Sequence, residues 1–324
     1  MDLSVERIQE AAGVIDPVFL DSPQFVDERL SGALGRRVLV KVETLNPLRS
    51  FKGRGAQFLA ARLNTGLTLV CSSTGNFGQA IAYAARARGM AAHVFVPEDV
   101  NPDKLDRLRS LGAVVTVGGV DVQEAKLAAR TYAEDRAGHR FVEDGREPEI
   151  SEGAGTIGLE LIRAEPVDTV VLPVGDGALI TGVACWLKHR LPGCRVVGIC
   201  AAGAPAMAQS WRAGTPVATA SVDTIADGIA IRAPIKESVD RVRQLVDEIV
   251  LVDDADLLDA MRLILSTLGI VAEPAGAAGI AAIRLHDLPG DRLATVITGG
   301  NIRPDLLARL AGGDGQAEGR PGGT

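Results

Sequence analysis

The chain is expected to fold as an α/β protein made of two parallel-sheet βα domains. Three observations lead there. From Val38 onward, short β-branched runs alternate with amphipathic segments, the rhythm of strands joined by crossover helices. Capping residues and prolines open those amphipathic segments, and glycines close them. The 37 glycines are concentrated where the apolar runs end, which is where a sheet of this kind carries its binding loops.

In chain order, VLVKVE from Val38 reads as a strand with a helix behind it. LTLVCSS from Leu67, AHVFVP from Ala92 and AVVTVG from Ala113 repeat the pattern. Asn101-Pro102-Asp103 gives one helix a cap and an early proline, while Gly89 and Gly112 end helices before the next strand. After Ser151 the alternation resumes, with TIGLELI as helix, TVVLPVG as strand, ALITGVACWLKHR as helix and RVVGICA as strand. Between Gly203 and Ile249 the periodicity weakens and no boundaries are assigned. ADLLDAMRLILSTLG and AGAAGIAAIRLH then read as helices and RLATVIT as the last strand. The tail, GGDGQAEGRPGGT, has nothing apolar to offset its ordering entropy and is expected to be disordered.

Composition narrows the function classes. The 324 residues suffice for one large or two smaller domains, and 47% hydrophobic with 23% charged residues is a globular balance. A formal charge of −7 argues against a surface that neutralises nucleic acid or anionic lipid, leaving a small molecule as the expected partner. No apolar leader opens the chain and no uncharged apolar run reaches membrane-spanning length, so a cytoplasmic protein is expected. Cys71, Cys185, Cys194 and Cys200 form no C-x-x-C pair and have no His at zinc spacing, which predicts free thiols among packed residues. His93, His139, His189 and His286 are scattered and read as surface or core residues.

Three loops at strand ends carry chemistry. In Asn46-Pro47-Leu48-Arg49-Ser50-Phe51-Lys52-Gly53, Ser50 could cap a helix and put Lys52 in its first turn. A lysine there opposes the helix dipole, which favours the neutral amine that a Schiff base or general base requires, although a solvated surface lysine is the other reading. Ser72-Ser73-Thr74-Gly75-Asn76-Phe77 brings hydroxyls and N–H groups to a helix start and could hold a carboxylate or be a plain capping turn. Gly175-Asp176-Gly177-Ala178-Leu179 follows strand TVVLPVG and suits a phosphate ester. It matches neither G-x-G-x-x-G nor a Walker loop, which favours a monophosphate over a dinucleotide or nucleoside triphosphate.

Taken in order, S-F-K-G-R-G-A, S-T-G-N, V-G-D-G-A-L, A-D-G-I-A, E-P-A-G-A-A-G and T-G-G-N resemble the fold type II pyridoxal-phosphate (PLP) enzymes, the tryptophan synthase β-like group, over roughly Pro17 to Leu310. Threonine and serine dehydratases are the nearest likeness. The resemblance implies two domains with PLP in the cleft between them, a large one from residues 1–66 and 147–312 and a small, substrate-gripping one from 67–146, with 313–324 as the tail. It implies Lys52 as the Schiff-base lysine and Phe51 beside the cofactor ring. Asn76 would bond the phenolic oxygen, and the backbone of Gly175, Asp176, Gly177, Ala178 and Leu179 would bind the phosphate. Gly228 and Glu273 would lie near the ring, and Thr298 would give its hydroxyl to the pyridine nitrogen. Ser73, Thr74, Gly75 and Phe77 would face the substrate. A neutral partner at the ring nitrogen weakens the electron sink and favours elimination at Cβ, so the implied reaction converts a small L-hydroxy amino acid to a 2-keto acid and ammonia. A homodimer is implied as well.

Departures from the family pattern keep other readings open. Phe77 stands where dehydratases commonly carry His, and Asn46-Pro47 is closer to threonine and cysteine synthases, so β- or γ-replacement is the alternative reaction. Thr74 occupies the position where serine racemases use a serine. Asp176 and Ala178 replace the usual glycines of the phosphate loop, which sets a carboxylate near the phosphate. Gly198-Ile199-Cys200 and Ala206 lack the carboxylates of a known divalent-metal site, so no metal is expected there. A PLP-binding sensor without turnover is the reading of another class.

Overall fold

In the computed structural model, which describes residues 1–311, the strands form two separate sheets. β1 (Gln24–Val26) and β2 (Val38–Val42) open the chain. β3 (Thr68–Ser72), β4 (Ala91–Val96), β5 (Val114–Val117) and β6 (His139–Phe141) make an all-parallel sheet of order β5-β4-β3-β6. β7 (Thr169–Pro173), β8 (Arg195–Ala201), β9 (Glu248–Val252) and β10 (Leu293–Ile297) join the first two strands in a sheet of order β1-β2-β10-β7-β8-β9. That sheet is parallel except for the edge strand β1. The helices are α1 (Val5–Val14), α2 (Glu28–Leu34), α3 (Lys52–Ala61), α4 (Asn76–Ala87), α5 (Pro102–Ser110), α6 (Val122–Glu134), α7 (Pro148–Ala164), α8 (Ala178–Arg190), α9 (Ala206–Ala213), α10 (Lys236–Leu245), α11 (Asp254–Leu268), α12 (Pro274–Leu285) and α13 (Pro304–Ala311).

The larger sheet is covered on both faces, which is why its central strands are continuously apolar. Side chains alternate across it: Leu39, Val170, Leu172 and Val196 join Ile8, Ile157 and Ile180 in one core. Val38, Val40, Val171 and Val197 join Leu30, Ile264 and Ile280 in the other. A third core of Leu69, Cys71, Ile81, Val94 and Leu108 lies against the smaller sheet and reaches Phe58 and Ile150. Every strand read from the sequence is present. So is the Asn101 cap, which accepts the Asp103 N–H at 2.8 Å, and Gly89 and Gly112 leave their helices at φ 66° and 91°.

The differences have physical causes. β1 and β6 are three-residue strands, QFV and HRF, too short to show a period. α9, α10 and β9 occupy the segment whose pattern was weak, where RVRQLVDEIVLV runs helical spacing directly into strand alternation. Helix α7 begins at Pro148, eight residues before the TIGLELI run, and the turns before that run carry two glycines at contact points. A Cβ on Gly153 would lie 2.6 Å from the Arg54 carbonyl, and one on Gly155 would lie 2.9 Å from that of Gly182. α7 therefore packs by backbone on α3 and α8. All four cysteines are free, and burial is the first cause pushing Cys71 and Cys200 up to about 12. Among the described residues, no helix is long and apolar enough to cross a membrane, and no cluster of His, Cys, Asp and Glu could hold a metal ion.

Candidate active site

The site lies where strand ends of both sheets meet helix N-termini. Lys52 is the first residue of α3, and Ser50 Oγ accepts its backbone N–H at 3.3 Å. The formal cap is Phe51, which has no side-chain bond of its own, so Ser50 serves from one residue further out than a usual cap. The Phe51 N–H donates to the Thr298 carbonyl at 3.0 Å, tying the helix start to the end of β10. α3 is held from below by Arg54, fully buried, which bonds Glu43 at 2.9 and 2.7 Å and Glu160 at 2.5 and 2.9 Å. Lys41 pairs with the same Glu160 at 2.6 Å, so two buried cations face two buried carboxylates. A Cβ on Gly53 would collide with the Phe19 ring, and one on Gly55 would lie 2.5 Å from the Ile150 carbonyl. The G-R-G after Lys52 is thus a packing device.

The Lys52 ammonium pairs with Asp144, which follows β6. The Phe51 ring centre is 4.8 Å from Nζ and that of Phe77 is 6.0 Å away, so two aromatic faces wall the amine. Asp144 was not anticipated from sequence: it lies in VEDGRE, a charged stretch that belongs to none of the motifs.

The second loop begins α4 at Asn76, with Gly75 as its cap. Ser73 Oγ accepts the Gly75 N–H at 3.2 Å, while the amide N–H groups of Ser73, Thr74, Asn76, Phe77 and Gly78 find no acceptor among the described residues. Free amides at a helix start are what a carboxylate ligand requires. The Asn76 amide donates to Glu273 Oε1 at 2.8 Å and accepts from Asn301 Nδ2 at 2.6 Å, and the Asn301 N–H reaches Glu273 Oε2 at 3.1 Å. Burial pushes Glu273 up to about 7, against the lowering effect of the Asn76 and Asn301 donors. Asn301 belongs to the T-G-G-N motif, the signal by which sequence could have singled it out.

The third loop joins β7 to α8. Gly177 adopts φ 87°, a left-handed turn that a side chain would strain. None of the amide N–H groups from Gly175 to Ile180 has an acceptor among the described residues. A Cβ on Gly175 would lie 2.6 Å from the Gly228 carbonyl, and one on Gly228 would lie 3.9 Å from Glu273 Oε1. The phosphate loop, the A-D-G segment and Glu273 are therefore contiguous. Thr298 is buried just past β10, and its hydroxyl makes no hydrogen bond among the described residues. The three loops named from sequence thus lie next to one another.

Residues 21–299 match the family described as pyridoxal-phosphate dependent enzyme. The chain belongs to that family. It is 35% identical to an L-threonine ammonia-lyase of Thermotoga maritima, over 95% of this chain and 78% of that protein. It is 36% identical to a biosynthetic L-threonine dehydratase of Mycobacterium tuberculosis, over 92% of this chain and 72% of that protein. Among solved structures it is similar to a T.th. threonine deaminase, with a TM-score of 0.87, 33% identity and 93% and 99% of the two chains covered. Maize serine racemase is similar at a TM-score of 0.88, 27% identity and 95% and 96% coverage.

The residues present fit the family's cofactor. A run of six free amide N–H groups at a helix N-terminus is a donor set for a phosphate ester. An amine walled by two aromatic rings suits a planar ring with an aldehyde, and the unbonded Thr298 hydroxyl is a ready partner for a ring nitrogen.

Proposed function

We propose that the chain is a PLP-dependent ammonia-lyase that removes the β-hydroxyl of a small L-hydroxy amino acid such as threonine or serine, giving a 2-keto acid and ammonia. The observation that carries this reading is the position of Lys52, between a turn of free amides suited to a carboxylate and a loop of free amides suited to a phosphate. The names of the relatives point the same way.

When bound, the cofactor supplies an electron sink for the pair left at Cα. Lys52 would bind it covalently and, once released, take the Cα proton with its neutral amine. Ser73, Thr74 and Gly75 would orient the substrate carboxylate, and Phe77 would close that side of the pocket to water. Asn76, positioned by Glu273 and Asn301, would present its amide to the ring's phenolic oxygen. The backbone of Gly175, Asp176, Gly177, Ala178 and Leu179 would bind the phosphate, with Gly228 beside the ring. The Thr298 hydroxyl, a neutral partner, would leave the ring nitrogen less positive than a carboxylate would, which favours β-elimination over a persistent carbanion. The reading includes residues 67–146 as a small substrate-gripping domain set against residues 1–66 and 147–312, and a cytoplasmic homodimer.

The test uses one preparation. The purified protein should show a visible cofactor band that disappears in Lys52→Ala, and should release keto acid from L-threonine or L-serine alone. A Lys52-dependent band without keto acid would turn the reading toward replacement chemistry on activated serine esters, and no band after added PLP would sink it.

A further inference from the structure

We propose that the phosphate end of the cofactor enters its loop together with one proton from solvent, which the Asp176 carboxylate takes up. The loop offers its backbone N–H groups to an anion, and Asp176 sits in the middle of it. The Asp176 carboxylate makes no hydrogen bond and no ion pair among the described residues, whereas its backbone carbonyl accepts from Ser238 Oγ. Its Cβ is packed against the backbone of Gly145, where an added Cβ would lie 2.9 Å away. α10 on one side and the segment after β6 on the other thus fix the backbone from which the half-buried Asp176 side chain projects.

The cations nearest it are engaged elsewhere. Lys52 of α3 is paired with Asp144, and Lys126, Arg130 and Arg146 all pair with Glu143, just past β6. On α10, Glu237 takes Arg146 and Arg241 pairs with Asp2. Among the described residues, Asp176 has no such partner. Burial first, and the Asp144 carboxylate next, push it up to about 7, against the attraction of Lys52 and Lys126. A phosphate ester brings about two further negative charges into this loop at neutral pH. An ionised Asp176 would repel it. A protonated Asp176 becomes an O–H donor to a phosphate oxygen, and donors to charged oxygens form the stronger class of hydrogen bond. The same residue is thus a repulsive neighbour at high pH and a ligand at low pH. The inference concerns binding alone and holds whichever reaction the loaded enzyme performs.

Pyridoxine 5′-phosphate tests it, because it keeps the phosphate and lacks the aldehyde that reacts with Lys52. Its dissociation constant would be measured by calorimetry from about pH 6 to about pH 9 for the wild type, Asp176→Asn and Asp176→Gly. The ligand's own titration is common to all three and cancels in ratios. The wild-type constant should rise relative to either variant by about tenfold per pH unit above about 7, as one linked proton requires. Buffers of different ionisation enthalpy should report about one more proton taken up by the wild type than by the variants. Parallel pH profiles for all three proteins, or weaker binding by both variants across the range, would overturn the proposal. The glycine variant guards against a folding defect peculiar to asparagine.

Discussion

At the scale of the residue, Lys52 and Asn76 are held by partners from distant segments, Asp144 for the one and Glu273 and Asn301 for the other. Lys52 and Asn76 stand among glycines at helix starts, and each adds a functional group that capping alone does not require. Asp144 reaches Lys52 from a different sheet, and no spacing rule links residues 92 positions apart. Glu273 shows what burial does to a group whose sequence context, E-P-A-G, reads as a helix start. Its carboxyl is raised from 4.5 to about 7, so the folded protein holds a proton between those values that the unfolded chain has released. Folding stability contributed by this group is therefore full below about pH 4.5 and is lost as pH rises through about 7. Glu273→Gln removes that slope: compared with the wild type, its urea midpoint should fare better at about pH 8 than at about pH 5. Equal differences at the two pH values would contradict the assignment.

At the scale of the element, the sequence shows where helices start when a side chain caps them, and hides them when packing decides. α5 announces itself through Asn101-Pro102, whereas α7 opens on Pro148 behind Glu147, whose side chain makes no cap bond, and its glycines let α3 and α8 approach by backbone. The same holds for the base of α3. Arg54 reads as one more charge beside a lysine, yet it is the fully buried centre of a network with Glu43 and Glu160. Removing one partner of a buried pair strands the other charge. Arg54→Ala should accordingly lower stability by about 3–5 kcal/mol, measured by urea unfolding, with the cofactor band weakened through the displaced N-terminus of α3. A change below about 1 kcal/mol would mean that water reaches the network.

At the scale of the whole molecule, the candidate site draws on two sheets whose strands are not consecutive in the chain. β2 precedes the smaller sheet in sequence but pairs with β10, more than 250 positions later. A cofactor seated there would contact loops from both sheets and stabilise the native state by mass action, by about 2.7 kcal/mol at a hundredfold excess over its dissociation constant. Stripping the cofactor should therefore lower the thermal midpoint, and Lys52→Ala should lose much of the difference by preventing covalent capture. An unchanged midpoint on stripping would place the cofactor outside the candidate site.

The sequence by itself determined the alternation of strands and helices, the glycine-bearing strand ends and the lysine. Those are properties of short stretches, set by side-chain period and by which residues tolerate a turn. Only the tertiary structure decided that Asp144 faces Lys52, that Asn301 and Glu273 hold Asn76, and that Asp176 is left without a partner. Each depends on which distant segments are brought together and on how far water is excluded between them, and burial and Coulomb energy are functions of distance in space, which no local pattern encodes.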